Sequence, residues 1–175
     1  MKNIIWRILV CLLVVEVGSG VAHSQAVGKV VQADQGFANR PDPSLRYRVV
    51  FETTQAASDP THINPALERI ARFMNLLASD GIHPKTNDVV AMVYGPATLS
   101  ILSDTAYRAR FGQDNPNTQL LRSLRKADVS IEVCSYALSN KKISTDAVAD
   151  GIQIDLSAIV TLANLQLRGW AMLHE

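Results

Sequence analysis

The chain has 175 residues, of which 47% are apolar and 19% charged, enough for one domain with a substantial core and too few for two of ordinary size. Of 17 basic and 16 acidic residues, Lys2, Arg7 and Glu16 fall in the first 26 positions, which leaves a body of 15 and 15. A neutral body without a basic run excludes nucleic acid as the main partner.

Residues 1–26 read as a secretory signal. Lys2 and Arg7 supply a positive start, Ile8 to Val15 is an apolar run, and Ala22-His23-Ser24 before Gln25 has the small-x-small character of a cleavage site. Glu16 and Gly18 break the run well short of the ~20 apolar residues that a membrane span needs, so cleavage is favoured over an uncleaved anchor. The expectation is an exported, periplasmic protein with no membrane attachment after cleavage. Cys11 is removed with the signal.

Residues 27–45 carry Gly28, Gly36, Pro41 and Pro43 without a sustained period and read as an extended arm, with a short strand at Lys29 to Gln32. The domain proper spans 46–175. Arg46 to Glu52 predicts a first strand, and its Val-Val-Phe centre suits burial on both faces. Gln55 to Thr61 is a polar loop. Asn64 as cap, Pro65 at the first helical position, and Leu67, Ile70, Ala71, Met74 and Leu77 at helical spacing predict a helix ending at Gly81. Val-Val-Ala-Met-Val within Asp88 to Tyr94 predicts a second buried strand. Gly95-Pro96-Ala97-Thr98 then turns the chain into a helical stretch from Leu99, ending near Asp104 or running on through Tyr107.

Asn115-Pro116-Asn117 precedes a helix over Thr118 to Ala127. The alternation Val129, Ile131, Val133 gives a third strand with Cys134 at its carboxyl end, and Ser139 to Lys142 reads as a loop. Ser144 and Asp146 open a short helix, Ile152 to Ile154 is a brief strand, Ser157 to Arg168 is an apolar helix, and Trp170 to Leu173 is a last strand. Alternating strands and helices imply an α/β fold, three-layer α/β/α, with a mostly parallel sheet of about five strands.

The chain lacks Gly-x-Gly-x-x-Gly, a phosphate-binding Gly-Lys-Ser/Thr and Cys-x-x-Cys. His23, His62, His83 and His174 show no metal-ligand spacing. No metal and no cofactor is therefore expected. Cys134, alone in the exported chain, has three roles open to it: reactive, paired between chains, or buried and inert. Lys141 and Lys142 lie just beyond it and would favour the thiolate if the loop folded back, whereas Glu132, on the same strand face, would oppose it unless protonated or paired. The turn Tyr94 to Thr98 follows a strand and offers free backbone N–H groups to an anion. His62 and Asn64 are expected at the same edge of the sheet, as ligand contacts or as loop and capping residues. The apolar residues around the helix Ser157 to Leu167 exceed what one sheet face needs, which suits either burial in the domain or a contact between subunits.

Taken in order, Asn64-Pro65-Ala66-Leu67 leading to Asn75, Gly95-Pro96-Ala97-Thr98, Asp114-Asn115-Pro116-Asn117, Val133-Cys134, and Leu165-Gln166 before Gly169-Trp170 give a chain that resembles the DsrE/DsrF-like family, in particular its exported single-domain branch. The resemblance implies a flavodoxin-like sheet, assembly into homo-oligomers (dimers, trimers or hexamers), donor and acceptor proteins for sulfur, and a cysteine at Cys134 that carries sulfane sulfur as a persulfide. Joined to the residue reading, sulfur handling would draw on substrate contacts from the Tyr94 to Thr98 turn, from Ser135 and Tyr136, and from Lys141 or Lys142. The chain departs from the family pattern in having Tyr94-Gly95-Pro96 in place of His-Gly-Pro and Cys134-Ser135-Tyr136 in place of Cys-Gly-Gln. The first change removes a histidine as proton carrier, and Tyr136 is expected to narrow access to the sulfur. The alternative is a non-catalytic oligomeric binding or assembly protein with the same fold.

Overall fold

A computed structural model describes residues 36–175; the expected signal over 1–26 and the expected strand at 29–32 lie outside the described residues. Five parallel strands form one sheet in the order β4-β3-β2-β1-β5. They are β1 (Val49–Thr53), β2 (Val89–Val93), β3 (Val129–Cys134), β4 (Gln153–Asp155) and β5 (Ala171–Leu173). The central strands read Val-Val-Phe, Val-Val-Ala-Met-Val and Val-Ser-Ile-Glu-Val-Cys because both of their faces are covered.

The ladder starts three residues later than the sequence suggests. Arg46 forms a two-point ion pair with the buried Asp88 (2.9 and 2.8 Å), and Tyr47 accepts a bond from the Asp42 backbone N–H, so these side chains fasten the entry to β1 and the pairing begins at Val49. The Arg46 guanidinium bonded to Asp88 holds that carboxyl below its usual range.

Helix α1 (Pro65–Ser79) forms as its spacing predicts. The Asn64 side chain accepts from the Ala66 N–H at 2.9 Å, Pro65 occupies the first turn, and Leu67, Ile70, Ala71 and Met74 are buried. Helix α3 (Thr118–Lys126) buries Leu120, Leu121 and Leu124. With the β-sheet residues Val49, Phe51, Ala91 and Ile131 these two helices build the larger core cluster. The opposite face carries Val50, Val90, Met92 and Cys134 and is covered by helix α5 (Ala158–Leu167) through Ala158 and Leu162.

The single helical stretch expected from Leu99 is two elements. Gly95–Ile101 is a 3-10 helix, Leu102 then pairs as an isolated antiparallel bridge with Val148, and α2 (Asp104–Phe111) begins afresh with Ser103 accepting from the Ala106 N–H. Pairing at Leu102 breaks the helix, a tertiary effect that local propensity does not register. The expected loop over Ser139 to Lys142 is also corrected: α4 (Ser135–Asn140) starts directly after Cys134, and Lys142 follows it with a left-handed φ of 53°. Among the described residues no helix is long and apolar enough to cross a membrane.

Candidate functional site around Cys134

Cys134 ends β3, the second strand from one edge of the sheet, and is at once the N-cap residue of α4. Its side chain makes no capping bond. The strand delivers the sulfur to the carboxyl edge of a parallel sheet, where ligands collect in open α/β folds. Above it opens a groove of about 820 Å³, walled on one side by α4 through Tyr136, Ala137, Asn140 and Lys141, on another by the first turn of α5, and floored by Cys134. Cys134 is 6% exposed and is part of the groove's lining.

The α5 wall runs from Leu156 through Ser157, Ala158, Ile159, Val160 and Leu162. It is tied to the α4 side by the Ser135 hydroxyl, which donates to the Leu156 carbonyl at 2.7 Å. Tyr94 and Gly95 close the third side. The Tyr94 hydroxyl donates to Glu52 Oε1, and the other Glu52 oxygen faces His174 Nδ1 at 2.5 Å, so Tyr94 is held from behind and turns its ring to the groove. Tyr136 stands at the mouth, 62% exposed.

Two carboxyl groups underlie this face. Cys134 is in register with Asp155 on β4, and Glu132, two residues before the cysteine, is buried beside them. Burial pushes the Glu132 carboxyl up to about 7, helped by hydrogen bonding to the Asp155 carboxylate, against a bond donated by the Ser130 hydroxyl at 2.9 Å. Asp155 is held by Thr161 Oγ1 from α5 at 2.6 Å and by Gln153 Nε2 at 2.7 Å. Glu132 has no cation within ion-pairing distance among the described residues, so the pairing with lysine weighed from the sequence gives way to a carboxyl that holds its proton near neutrality. Among the described residues no three His, Cys, Asp or Glu side chains are grouped to hold a metal ion.

Of the residues singled out from the sequence, the fold brings Cys134, Tyr94, Gly95, Tyr136 and Lys141 to the groove, with Ser135 supporting its wall. Lys142, which follows Lys141 with a left-handed φ of 53°, is exposed and outside it. The Gly95 to Thr98 turn is not an open cradle of N–H groups. The Ala97 N–H donates to the Thr54 carbonyl at 2.8 Å, the Thr98 hydroxyl donates to the Gly95 carbonyl at 2.8 Å, and Ala97 and Thr98 are fully buried. Gly95 has a φ of 57°, a left-handed conformation that favours glycine, and it takes the chain from β2 into the 3-10 turn beside Thr54.

Pro96, His62 and Asn64 line a separate cavity of about 130 Å³. Asn64 belongs to a buried amide clasp. Its N–H donates to Asn117 Oδ1 at 2.7 Å, Asn117 donates twice to Asn115 Oδ1, and Asn115 Nδ2 donates to the carbonyls of Ser100 (2.9 Å) and Leu102 (2.7 Å). Every amide in this chain of bonds is satisfied from within, which marks it as structural. The residues missed from the sequence are the Leu156 to Leu162 wall, Asn140, Asp155, and the Glu52 and His174 backing of Tyr94. The excess of apolar residues around α5 was the one signal that pointed toward that wall.

The DsrE/DsrF-like family profile matches residues 46–174. No curated protein matches. Among solved structures the chain is similar to a protein of unknown function, MTH1491, from Methanobacterium thermoautotrophicum, at 20% identity and a TM-score of 0.56, over 74% of this chain and 99% of that one. It is also similar to the ychN protein of E. coli, at 20% identity and a TM-score of 0.53, with the same coverage. At this identity the two structures speak for the fold alone.

Proposed function

We propose that this chain, which belongs to the DsrE/DsrF-like family, handles sulfane sulfur through a persulfide on Cys134 after export, as a carrier or relay. The observation that carries this reading is the place of Cys134: the one cysteine among the described residues, at the carboxyl end of an inner parallel strand, with no side-chain capping bond, lining a groove of about 820 Å³. A thiolate there attacks the outer sulfur of a persulfide donor, the new Sγ–S bond forms as the donor S–S bond breaks, and the donor leaves as its thiolate; a second exchange passes the sulfur to an acceptor. Lys141 lines the same groove as the sulfur.

The outward face of α5 supports assembly as a homo-oligomer. Ile159 is 81% and Leu167 86% exposed, a pair of large apolar side chains that the domain itself leaves uncovered. Light scattering at micromolar concentration should then give a multiple of the chain mass, and a monomer would remove this part of the proposal. The low exposure of Cys134 behind Tyr136 favours a second reading, a non-catalytic oligomeric binding protein in which the sulfur is only packed. Incubation with inorganic polysulfide separates the two. Sulfur addition and alkylation at Cys134, both absent in Cys134→Ser, support the first, whereas resistance of the folded wild type to both supports the second.

A further inference from the structure

Resting on the sulfur-handling reading, we propose that the groove over Cys134 is a small-molecule site for an organic persulfide that has an apolar body and one anionic group. Its volume of about 820 Å³ falls in the range of about 300–1,000 Å³ that suits a small organic ligand. A bare inorganic sulfur anion would fill only a small part of it and would leave the walls in contact with water. Apolar side chains make up much of those walls: Tyr94, Tyr136, Leu156, Ile159, Val160 and Leu162. Leu156 is 70% exposed, so the apolar surface is open to an incoming ligand.

One cation sits among these residues. Lys141 lines the groove and forms no ion pair among the described residues, so its charge is left to a ligand, with Asn140 beside it as a polar neighbour. An apolar body against Leu156 and Val160 with an anionic group on Lys141 matches both features at once, and it sets the sulfur-bearing end over Cys134. A second copy of the chain is the competing occupant. Its helix face would cover Leu167, which lies outside the groove, and Ile159 on the groove wall, but a convex helix does not fill the concave floor lined by Cys134, Ala158 and Leu162.

The chemistry balances without an oxidant or reductant. The Cys134 thiolate attacks the outer sulfur of R–S–S–H, the Sγ–S bond forms, the donor's S–S bond breaks with its electron pair going to the inner sulfur, the proton stays on the transferred sulfur, and R–S⁻ departs. The apolar body R then leaves the groove with its anionic group.

Hexanesulfonate, which has the apolar body and the anionic group but no transferable sulfur, tests the site apart from the reaction. Titrated into the Cys134→Ser protein and followed by amide NMR, it should bind saturably, with the shifts centred on Tyr136, Lys141, Leu156 and Val160. Methanesulfonate should bind at least about tenfold more weakly, given the several methylenes lost from the apolar wall. Lys141→Gln should weaken hexanesulfonate about tenfold. In the wild type, a hexyl persulfide bearing a terminal carboxylate should load Cys134 faster than inorganic polysulfide does, and Val160→Asp should abolish that preference.

Equal binding of the two sulfonates, shifts elsewhere, or a change of oligomeric state in place of saturable binding would overturn the inference, the last by assigning the groove to a second copy. Hexanesulfonate binding at the groove with no sulfur ever loaded on Cys134 would uphold the apolar-anion site and overturn the sulfur-handling reading on which the persulfide rests.

Discussion

The two faces of the sheet are built to different standards. On the face of α1 and α3 the core is deep, and its buried amides, Asn64, Asn115 and Asn117, satisfy one another and the neighbouring backbone. On the face of α5 the cover is one helix, the buried cluster is small, Glu132 has no ion-pairing cation among the described residues, and large apolar side chains reach solvent. The first face is a scaffold that fixes where the strands end. The second leaves room over Cys134, and the residues that line the groove there are largely ones that the scaffold does not need.

Substitutions should expose that contrast, and the largest effect belongs to the scaffold. Asn115→Ala removes two donations to carbonyls and leaves the Asn117 N–H groups without their acceptor. We expect a loss of about 4 kcal/mol in urea unfolding, from several buried polar groups left unpaired. A loss under 1 kcal/mol would mean that the clasp is not what closes this face.

The next effect is a pH dependence confined to the thin face. Glu132 keeps its proton up to about 7 when folded and releases it near 4.5 when unfolded. Its contribution is therefore complete below about 4.5 and is lost as pH rises through 7, up to about 3 kcal/mol in all. Asp88, lowered by Arg46, works in the opposite sense and below its ordinary value of 3.8, so the two windows do not overlap. Unfolding free energies between pH 5 and 8 should fall in the wild type and stay level in Glu132→Gln.

Smaller effects are expected where the groove is tied together. Ser135→Ala deletes the 2.7 Å bond to the Leu156 carbonyl and should cost about 1 kcal/mol. Tyr136→Ala should leave stability within about 0.5 kcal/mol, since the ring is exposed, yet raise the rate of Cys134 alkylation several-fold. An unchanged rate would show that Tyr136 does not guard the sulfur.

Most of the scaffold was legible because local and tertiary demands agree there. The Asn64-Pro65 start of α1, the apolar run of β2 and the alternation ending at Cys134 each have one physical meaning, and the structure realises them. The site was less legible because it is made of juxtapositions. Leu156 and Val160 face Cys134 only after β4 has paired with β3, and no period within residues 156–162 announces that. Conversely, the most recognisable residues, Pro96 to Thr98 and Asn64, turned out to have their polar groups committed to the fold or to lie away from the groove. Of Lys141 and Lys142, neighbours in sequence, Lys141 alone lines the groove, just after the short helix that Ser135 to Asn140 conceals behind loop-like composition.

The claim that Cys134 carries sulfur is tested most directly by a mass spectrum of the protein purified, without reductant, from the cells that make it. The expected result is a fraction of the chain heavier by one sulfur atom, with the added mass on the peptide containing Cys134 and removed by a thiol reductant. A Cys134 peptide found only as the free thiol, in protein whose Cys134 also resists sulfur transfer when folded, would contradict it.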